Sequence, residues 1–522
     1  TTVAVGRLAG CGAQASYAIA MGHQAGQNQQ GVNALALGRL AGATSQGLNS
    51  IAIGTNAGSI SQGDFNVAIG DAAGQNGQNN YALAMGYLAG RNAQGGAAIS
   101  IGNQAGENNQ NLNAIAIGTL AGENAQVDYG IAMGREAGMN FQAASSVAIG
   151  RLAARNSQGI AGIAIGYQAG CGDQGTHGIA MGQNAAKTGQ GDNTIAIGQL
   201  AGCLDQGEFS VAIGLEAGRI NQEDNCVAIG QGAGYNAQGT LAVAIGYNAG
   251  CNDQGVTSVA IGYLAGKNDQ GAYSVAIGRE CAQNSQNNYC VAIGDEAASN
   301  AQGSYAVAIG NKAGSGAQGN LGIAIGQAAA QISQGAQSIA IGYQAGYNQQ
   351  GSQNTAIGYR AGKTDQGIDS VAVGRQAAET DQGNYSVAIG GAAGTDNQGD
   401  GCVAIGVQAG RFNQDENAVA IGYYAGCGNQ NDFCVAIGYQ AGLNVQGQSA
   451  IAIGNQAGKN SQGANSIAIT AVGTLNNPTA SSCRIRTLRA ANGTSSRRVY
   501  RTTDHELTYG SDSSDDRLKI NE

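Results

Sequence analysis

The sequence is built on a glycine that recurs at every sixteenth position. Glycine occupies all 29 positions of this series from Gly6 to Gly454, without a single insertion or deletion. The next position in the series is Thr470, where the repeat ends. A short period of fixed length is typical of solenoids, in which each repeat forms one coil that stacks on its neighbours. A globular enzyme tolerates loops of varying length, whereas these repeats keep one length throughout.

Within each coil, the residues before the repeated glycine alternate in size. With that glycine numbered zero, position −4 is small, −3 is usually Val or Ile, −2 is Ala in nearly every coil, and −1 is mostly Ile, Met or Leu. This alternation predicts a β-strand with one face of small residues and one of large apolar residues. Because soluble monomers avoid long exposed apolar stripes, we expect one face to line the coil interior and the other to contact a partner chain. The sequence does not say which face is which.

Two further positions predict tight turns. Position +4 is Gly in 23 coils and Ala in six, and position +9 is Gly in 20 coils and Asn in several others. Since Gly and Asn adopt positive φ angles readily, position +9 is predicted to lie in a positive-φ turn. Each coil would then hold two short strands and two turns. The predicted fold is therefore all-β, a parallel β-roll or β-solenoid of flattened 16-residue coils.

Glutamine at position +8 is as regular as the glycine. It is present in all 29 coils, whereas position +1 changes freely from coil to coil. A side-chain amide that recurs in this way predicts a ladder of hydrogen-bonded amides between coils, or caps on turn backbone groups. The alternative is a row of separate binding sites. Representative ladder residues are Gln14, Gln30, Gln46, Gln62, Gln78, Gln254, Gln350 and Gln462, and representative repeat glycines are Gly6, Gly54, Gly230 and Gly454.

Composition excludes several other classes of protein. The formal net charge of −9 argues against nucleic acid binding along the repeats. No apolar run approaches the roughly 20 residues of a membrane-spanning helix. The eleven cysteines include no C-x-x-C motif, and most lie at positions that hold small residues in other coils. We therefore expect them to act as small packing residues, and cross-chain disulfides are the alternative. We expect no metal, no other cofactor and no enzyme acting on an external substrate, because no acid pair or nucleophile–base pair recurs.

Two sequence blocks carry a family resemblance. Residues 49–54, Asn-Ser-Ile-Ala-Ile-Gly, and residues 273–278, Tyr-Ser-Val-Ala-Ile-Gly, resemble the head repeat of trimeric autotransporter adhesins. The resemblance extends over nearly all of the repeats, although the adhesin repeat is typically shorter than the one found here. It implies a left-handed roll in which three identical chains lie side by side. Similar Ala-Ile-Gly repeats occur in fibres of phages and large DNA viruses.

The C-terminal segment resembles a second family. Residues 492–500, 507–510 and 514–519 look like the start of the endosialidase-type chaperone that follows phage tail spikes and fibres. That chaperone trimerises, templates the fibre and then cuts itself off with a Ser/Lys dyad. The resemblance implies that Ser514 is the nucleophile, that Lys519 activates it and that the chain is cut before Asp515, which is sensible chemistry for a hydroxyl beside an amine. It also implies a neck or tip at residues 471–514, between a shaft at residues 1–470 and the first chaperone residues at 515–522.

Together these features predict a structural fibre protein of a virus or phage, displayed on the virion surface or extracellularly. Its trimeric shaft would serve host attachment or surface display after C-terminal self-cleavage, and the head of a bacterial trimeric autotransporter adhesin is the alternative. The expected partners are two further copies of the chain and a host receptor or glycan, without nucleic acid or membrane insertion. Tyrosines at position +1 fit either strand-edge packing or stacking on sugars: Tyr87, Tyr167, Tyr247, Tyr263, Tyr343, Tyr359, Tyr423 and Tyr439.

Overall fold

The chain folds into stacked β-coils in a computed structural model that describes residues 1–471, 473–475, 479–486, 500–501 and 507–508. The described residues form strands and turns and include no helix. They divide into two compact units, Thr1–Asn268 and Asp269–Glu522. In each unit parallel strands stack as a β-solenoid of 16-residue coils, which confirms the predicted fold class.

The first strand of each coil covers positions −3 to −1, and we call it the alanine strand. In the first unit the alanine strands begin with Val3–Val5 and recur once per coil up to Val259–Ile261. Neighbouring strands pair in parallel with the same coil positions opposite each other, as Ala4 lies opposite Ala20. In the second unit they recur from Val275–Ile277 to Val435–Ile437.

The second strand of each coil ends at the glutamine of position +8, and we call it the glutamine strand. These strands also recur once per coil, from Asn28–Gln30 to Asn252–Gln254 in the first unit and up to Val445–Gln446 in the second. One further strand, Asn268–Gln270, lies where the units divide. Most have three residues, and the two-residue strands are Phe141–Gln142, Ser157–Gln158, Asp173–Gln174, Ser285–Gln286, Ala301–Gln302, Ala317–Gln318, Ser333–Gln334, Asn429–Gln430 and Val445–Gln446.

The small face of the alanine strand points into the coil. Ala36 at position −2, Ala34 at −4 and Ala41 at +3 are almost fully buried, whereas the residues at −3 and −1 are partly exposed. The interior is therefore built almost entirely from alanine, and its largest fully buried side chains are the glutamines at +8. This assignment settles which of the two faces is internal, because a face of small side chains leaves the space that the buried glutamines fill.

The repeated glycine is required by its φ angle and by its close approach to the next coil. At Gly6 and Gly230 the φ angles are 129° and 124°. A Cβ on either residue would lie 2.6 or 2.7 Å from the backbone oxygen of the glycine one coil further on. Gly54 and Gly454 also have positive φ, and a Cβ there would be closer still to the next coil. A larger residue at this position would therefore force neighbouring coils apart.

The prediction of positive φ at position +9 is wrong, and the positive φ lies at position +4. Gly26 at +4 has a φ of 49°, whereas Gly31 at +9 lies outside the positive-φ region. Glycine at +9 instead allows close stacking, since a Cβ on Gly31 would lie 2.5 Å from the carbonyl carbon of Gly47. Further positive-φ positions are +2 and +11, as in Leu40 and Asn33, both with φ of 58°, and in most coils also +7, as in Ser45.

Strand pairing continues beyond the last repeated glycine. Ile451–Gly454 pairs with Ile467–Thr470, and Ile467–Thr470 pairs with Cys483–Arg486, all in parallel. Cys483 lies opposite Ile467, so the spacing of the coils is kept for one coil after the sequence repeat has ended at Thr470. A short antiparallel pair, Tyr500–Arg501 with Leu507–Thr508, follows.

Candidate functional site

The glutamine of position +8 lies inside the roll and is bonded on several sides. The Nε2 group of Gln110 donates to the carbonyl oxygens of Ile99 at 2.9 Å and Ala114 at 3.1 Å, and to Oε1 of Gln126 at 3.1 Å. Its own Oε1 accepts from Nε2 of Gln94 at 3.2 Å. One amide therefore ties the glutamine strand to the alanine strand of its own coil and to the coils on both sides.

The bond to the alanine strand is more regular than the amide ladder. Nε2 donates to the carbonyl oxygen at position −3 of the same coil from Gln14 to Gln254, and again from Gln286 to Gln462. The amide-to-amide bond joins Gln30 to Gln46 at 3.2 Å. It is interrupted elsewhere, because the buried Oε1 atoms of Gln62, Gln158, Gln174, Gln190 and Gln206 accept no hydrogen bond from the described residues.

The predicted ladder residues occupy equivalent places in their coils. Gln14 is partly buried, and the other seven, Gln30, Gln46, Gln62, Gln78, Gln254, Gln350 and Gln462, are buried. A buried amide with two or more hydrogen bonds stabilises the fold, whereas a ligand-binding amide needs an exposed polar atom. The burial of these side chains is therefore evidence for a structural role and against a row of binding sites.

Four cysteines occupy position −4, where other coils have Ala, Ser, Gly, Thr or Asn. The Sγ atoms of Cys226, Cys290, Cys402 and Cys434 donate to carbonyl oxygens at 2.7 to 3.0 Å. Serine makes the same bond, as Ser386 Oγ does to the Gly399 carbonyl at 2.7 Å. Burial raises the thiol pKa of Cys226, Cys402 and Cys434 to about 11, so these thiols stay protonated at neutral pH. All eleven cysteines are free thiols in the single chain.

The residues predicted for self-cleavage, Ser514, Lys519 and the bond before Asp515, lie outside the described residues. Within the described part of the chain, no cluster of three or more His, Cys, Asp or Glu side chains has a geometry that could hold a metal ion. The same part contains no helix with the length and apolar character needed to cross a membrane.

The large face of the alanine strand forms an apolar stripe on the outside of each unit. Positions −3 and −1 hold only aliphatic residues or Met in all 29 coils, apart from Thr355. Their side chains are partly exposed in the single chain, for example Met85 at 37%, Met133 at 39% and Ile229 at 36%. No charged side chain interrupts these two positions. The stripe is the face of large apolar residues that the sequence predicted for this strand, and it faces outward.

Aromatic residues form columns on the turns that flank the alanine strand. At +1, Tyr247 stacks on Tyr263 with ring centroids 5.3 Å apart. At +11, Tyr289 stacks between Tyr273 and Tyr305, at 5.0 and 4.9 Å. Sequence reasoning identified the +1 tyrosines and missed the +11 column. The signal was present, because aromatic residues occupy +11 in three successive coils from 273 to 305.

Asparagine and aspartate at position +10 have a role that sequence reasoning also missed. The Oδ1 atom of Asp64 accepts the backbone N–H of Leu48 at 3.0 Å, and Oδ1 of Asn80 accepts the N–H of Asp64 at 2.9 Å. Each side chain thus caps the turn of the preceding coil. A carboxylate or amide oxygen at +10 satisfies a backbone donor that the strand ladder leaves free.

Comparison with known families identifies one stretch of the repeats. Residues 30–57 match the YadA head domain repeat, with two copies in that span. Each copy is therefore shorter, on average, than the coil found here. No curated protein matches the chain. The match and the parallel β-solenoid together fit a YadA-like repeat fibre, and such repeats are typical of surface-exposed or extracellular fibres.

Proposed function

We propose that the chain is a structural fibre protein in which three identical chains pack through the outward apolar stripes of their alanine strands. The observation that carries this proposal is the stripe itself, which is uncharged in every coil and partly exposed in a single chain. Burial of apolar surface contributes about 25 cal/mol per Å², so a stripe repeated coil after coil gives a large driving force for association. Soluble monomers rarely leave such a surface uncovered.

A second copy of the same chain is the partner that fits this surface best. A partner must offer apolar side chains at the spacing of the coils, and an identical chain aligned in parallel does so at every repeat. Stripes of equal spacing can then pack side by side without drifting out of register. The number three comes from the likeness of residues 30–57 to the YadA head domain repeat.

Native mass measurement tests the assembly. We expect the purified chain to have three times the mass of one chain, and a monomeric mass in native buffer would refute the proposal. The double variant Ile213→Lys/Ile229→Lys places charges on the stripe and should lower the melting temperature or dissociate the trimer. The matched control Leu204→Lys/Ile220→Lys carries the same change on the glutamine strand, where Leu204 is similarly exposed, at 39% against 36% for Ile229. The control should stay trimeric.

Within this class we propose a viral or phage fibre that attaches to a host or is displayed on the virion, and that is matured by self-cleavage. This proposal rests on the likeness of residues 492–519 to the start of a self-cleaving chaperone. The natural gene product should be cut between Ser514 and Asp515. Ser514→Ala and Lys519→Ala should each stop the cut, whereas Ser513→Ala should leave it unchanged.

A bacterial trimeric autotransporter head is the second candidate, favoured by the family match at residues 30–57. The same experiment separates the two. A membrane anchor encoded after Glu522, or cleavage that continues in Ser514→Ala, would favour the adhesin over the self-processing viral fibre. Loss of cleavage in Ser514→Ala together with normal cleavage in Ser513→Ala would favour the fibre.

A further inference from the structure

Three tyrosines at position +11 form a column of parallel rings in the second unit. Tyr289 lies between Tyr273 and Tyr305, with ring centroids 5.0 and 4.9 Å apart and an angle of 3° between the planes of each pair. All three rings are about half exposed, at 51%, 47% and 56%. The column is therefore open to small molecules in solution.

The backbone fixes this arrangement firmly. The three tyrosines have φ angles between 58° and 61°, so each side chain leaves its turn in the same direction. Parallel pairing in register holds Val275 opposite Val291 and Val291 opposite Val307, which prevents neighbouring coils from sliding past each other. Only rotation about side-chain bonds is needed to bring the edges of two neighbouring rings together.

Such proximity favours the coupling of two tyrosyl radicals. Radicals formed on neighbouring rings of the column need no diffusion to meet, and holding reactants together in this way accelerates a bimolecular step strongly. The separation of the ring centroids is already close to that of two directly bonded phenyl rings. Tyrosines without a neighbour lack this advantage, because Tyr129 has Asn113 and Ser145 at +11 of the adjacent coils.

We propose that Tyr273, Tyr289 and Tyr305 are an oxidative cross-linking site, at which a haem peroxidase with hydrogen peroxide joins neighbouring coils by dityrosine bonds. Each of two phenols gives up one electron and one proton and becomes a phenoxyl radical. The radicals join through a carbon–carbon bond between positions ortho to the oxygens, and the hydrogens on those carbons move to the oxygens to restore both phenols. Hydrogen peroxide accepts the two electrons and two protons and leaves as two molecules of water.

The bond would act as a covalent staple across the roll. It links equivalent positions of successive coils and so reduces the conformational entropy of the unfolded chain, as a disulfide does. The site requires only one folded chain, and it therefore does not depend on the trimer proposed above.

Limited oxidation of the full chain tests the site. The chain is treated with a haem peroxidase and a limiting amount of hydrogen peroxide, and cross-linked peptides are mapped by mass spectrometry. We expect links between Tyr273 and Tyr289 and between Tyr289 and Tyr305, each lowering the mass of the chain by two hydrogens without joining chains. Tyr289→Phe keeps the stacked ring but cannot form a phenoxyl radical, so it should remove both links. The matched control Tyr129→Phe should leave them unchanged.

Two results would overturn the proposal. One is that Tyr129 or Tyr385, which have no aromatic neighbour at +11, appear in dityrosine links as often as the column residues. The other is that links at the column join separate chains, seen as multiples of the chain mass under denaturing conditions, in place of links within one chain.

Discussion

The alanine strands and the glutamine strands differ in how much variation they accept. Up to Val435–Ile437, every alanine strand has three residues, and from Ile19–Met21 onward its central residue is buried. The glutamine strands have three residues in most coils and two in nine. Of the glutamine strand, only Gln at +8 is the same in all coils, whereas the alanine strand is restricted at five successive positions, −4 to 0. The two sides of the coil are thus specified by different numbers of residues.

The variation of the glutamine strand comes from the backbone at position +7. In coils with a three-residue strand this residue has a positive φ, as Asn109 does at 55°. In coils with a two-residue strand its φ is not positive, and in five of these nine coils its N–H donates to the carbonyl at +6 of the next coil, as Phe141 does to Asn156 at 3.0 Å. Both conformations leave Gln at +8 in the same buried place. The backbone on the outer side of the glutamine strand therefore varies. The hydrogen bonds that Gln at +8 makes across the interior, which we call the brace, are kept.

Replacing the repeated glycine, which directly follows the alanine strand, should produce the largest loss of stability. Gly230→Val would place a side chain on a residue with φ of 124° and within 2.7 Å of the Gly246 backbone oxygen. We expect a loss of at least about 3 kcal/mol, from backbone strain and overpacking together, in the free energy of unfolding. Hydrogen exchange of the neighbouring coils and thermal unfolding measure it.

Gly391→Val is the control for this prediction. A Cβ on Gly391 would meet no atom within 4 Å, and its φ is not in the positive region. Its stability should stay within about 0.5 kcal/mol of the parent, as for other surface substitutions. Equal losses in the two variants would show that close stacking is not what selects glycine at position zero.

Removing the brace, which starts from the glutamine strand, should produce the second largest loss of stability. Gln110→Met keeps the length of the side chain but leaves the Ile99 and Ala114 carbonyls without the bonds at 2.9 and 3.1 Å. We expect a loss of about 2–4 kcal/mol, because a buried amide loses its hydrogen bonds to both carbonyls and to the neighbouring amides together. Chemical denaturation measures it. Gln199→Met, at an exposed position, should change stability little. A brace variant as stable as this control would contradict the structural role of the amide.

The size alternation and the glycine period predicted the alanine strands well. Residues 51–53 had to form a strand because Ile51 and Ile53 alternate with Ala52, and the fixed period demanded parallel stacking in register. The sequence did not decide which face is internal. Both faces are apolar, and the choice follows from the space that the buried glutamines fill, which a face of small side chains leaves.

The conformation of the glutamine strand could not be predicted from residue types. Serine occurs at +7 with positive φ at Ser45 and without it at Ser157. The two-residue strands occur in runs, at 141–174, 285–334 and 429–446, and in the first two runs the bond from the +7 N–H to the +6 carbonyl joins each such coil to the next one of its kind. Conformation there depends on neighbouring coils. For the same reason glycine at +9 was misassigned to a positive-φ turn, since its cause is the approach of the next coil.

Ionisation of a buried cysteine at position −4 should give a smaller loss of stability, which depends on pH. Burial raises the pKa of the Cys402 thiol from 9.0 to about 11. The folded chain therefore holds this proton more tightly than the unfolded chain does. This contribution to stability is complete below about pH 9 and is lost as the pH rises through about 11, by roughly 3 kcal/mol in all.

Cys402→Ser tests this effect, because Ser386 shows that serine fits the same slot. At neutral pH its unfolding free energy should lie within about 1 kcal/mol of the parent. At about pH 11 the variant should lose less stability than the parent does. Cys11→Ser, at an exposed cysteine, should follow the parent at both pH values. An unchanged alkaline loss in Cys402→Ser would mean that the thiol is not the titrating group.

The smallest effect is expected at position +11, in the turn that joins the glutamine strand to the next alanine strand. Tyr129 has a φ of 60° there and no aromatic neighbour, whereas Asn33 and Asn113 hold the same place with similar φ. Asparagine tolerates this conformation better than tyrosine, so Tyr129→Asn should raise the unfolding free energy by about 0.5 kcal/mol.

The same substitution in the stacked column should lower the unfolding free energy. Tyr289→Asn relieves the same backbone strain but removes two ring contacts, at 5.0 and 4.9 Å. Each stacked pair contributes about 0.5–1.5 kcal/mol, so the variant should be less stable than the parent. Thermal unfolding of the two variants side by side measures the difference. If both are stabilised, the turn conformation alone governs position +11, and the stacked rings contribute nothing to holding successive coils together.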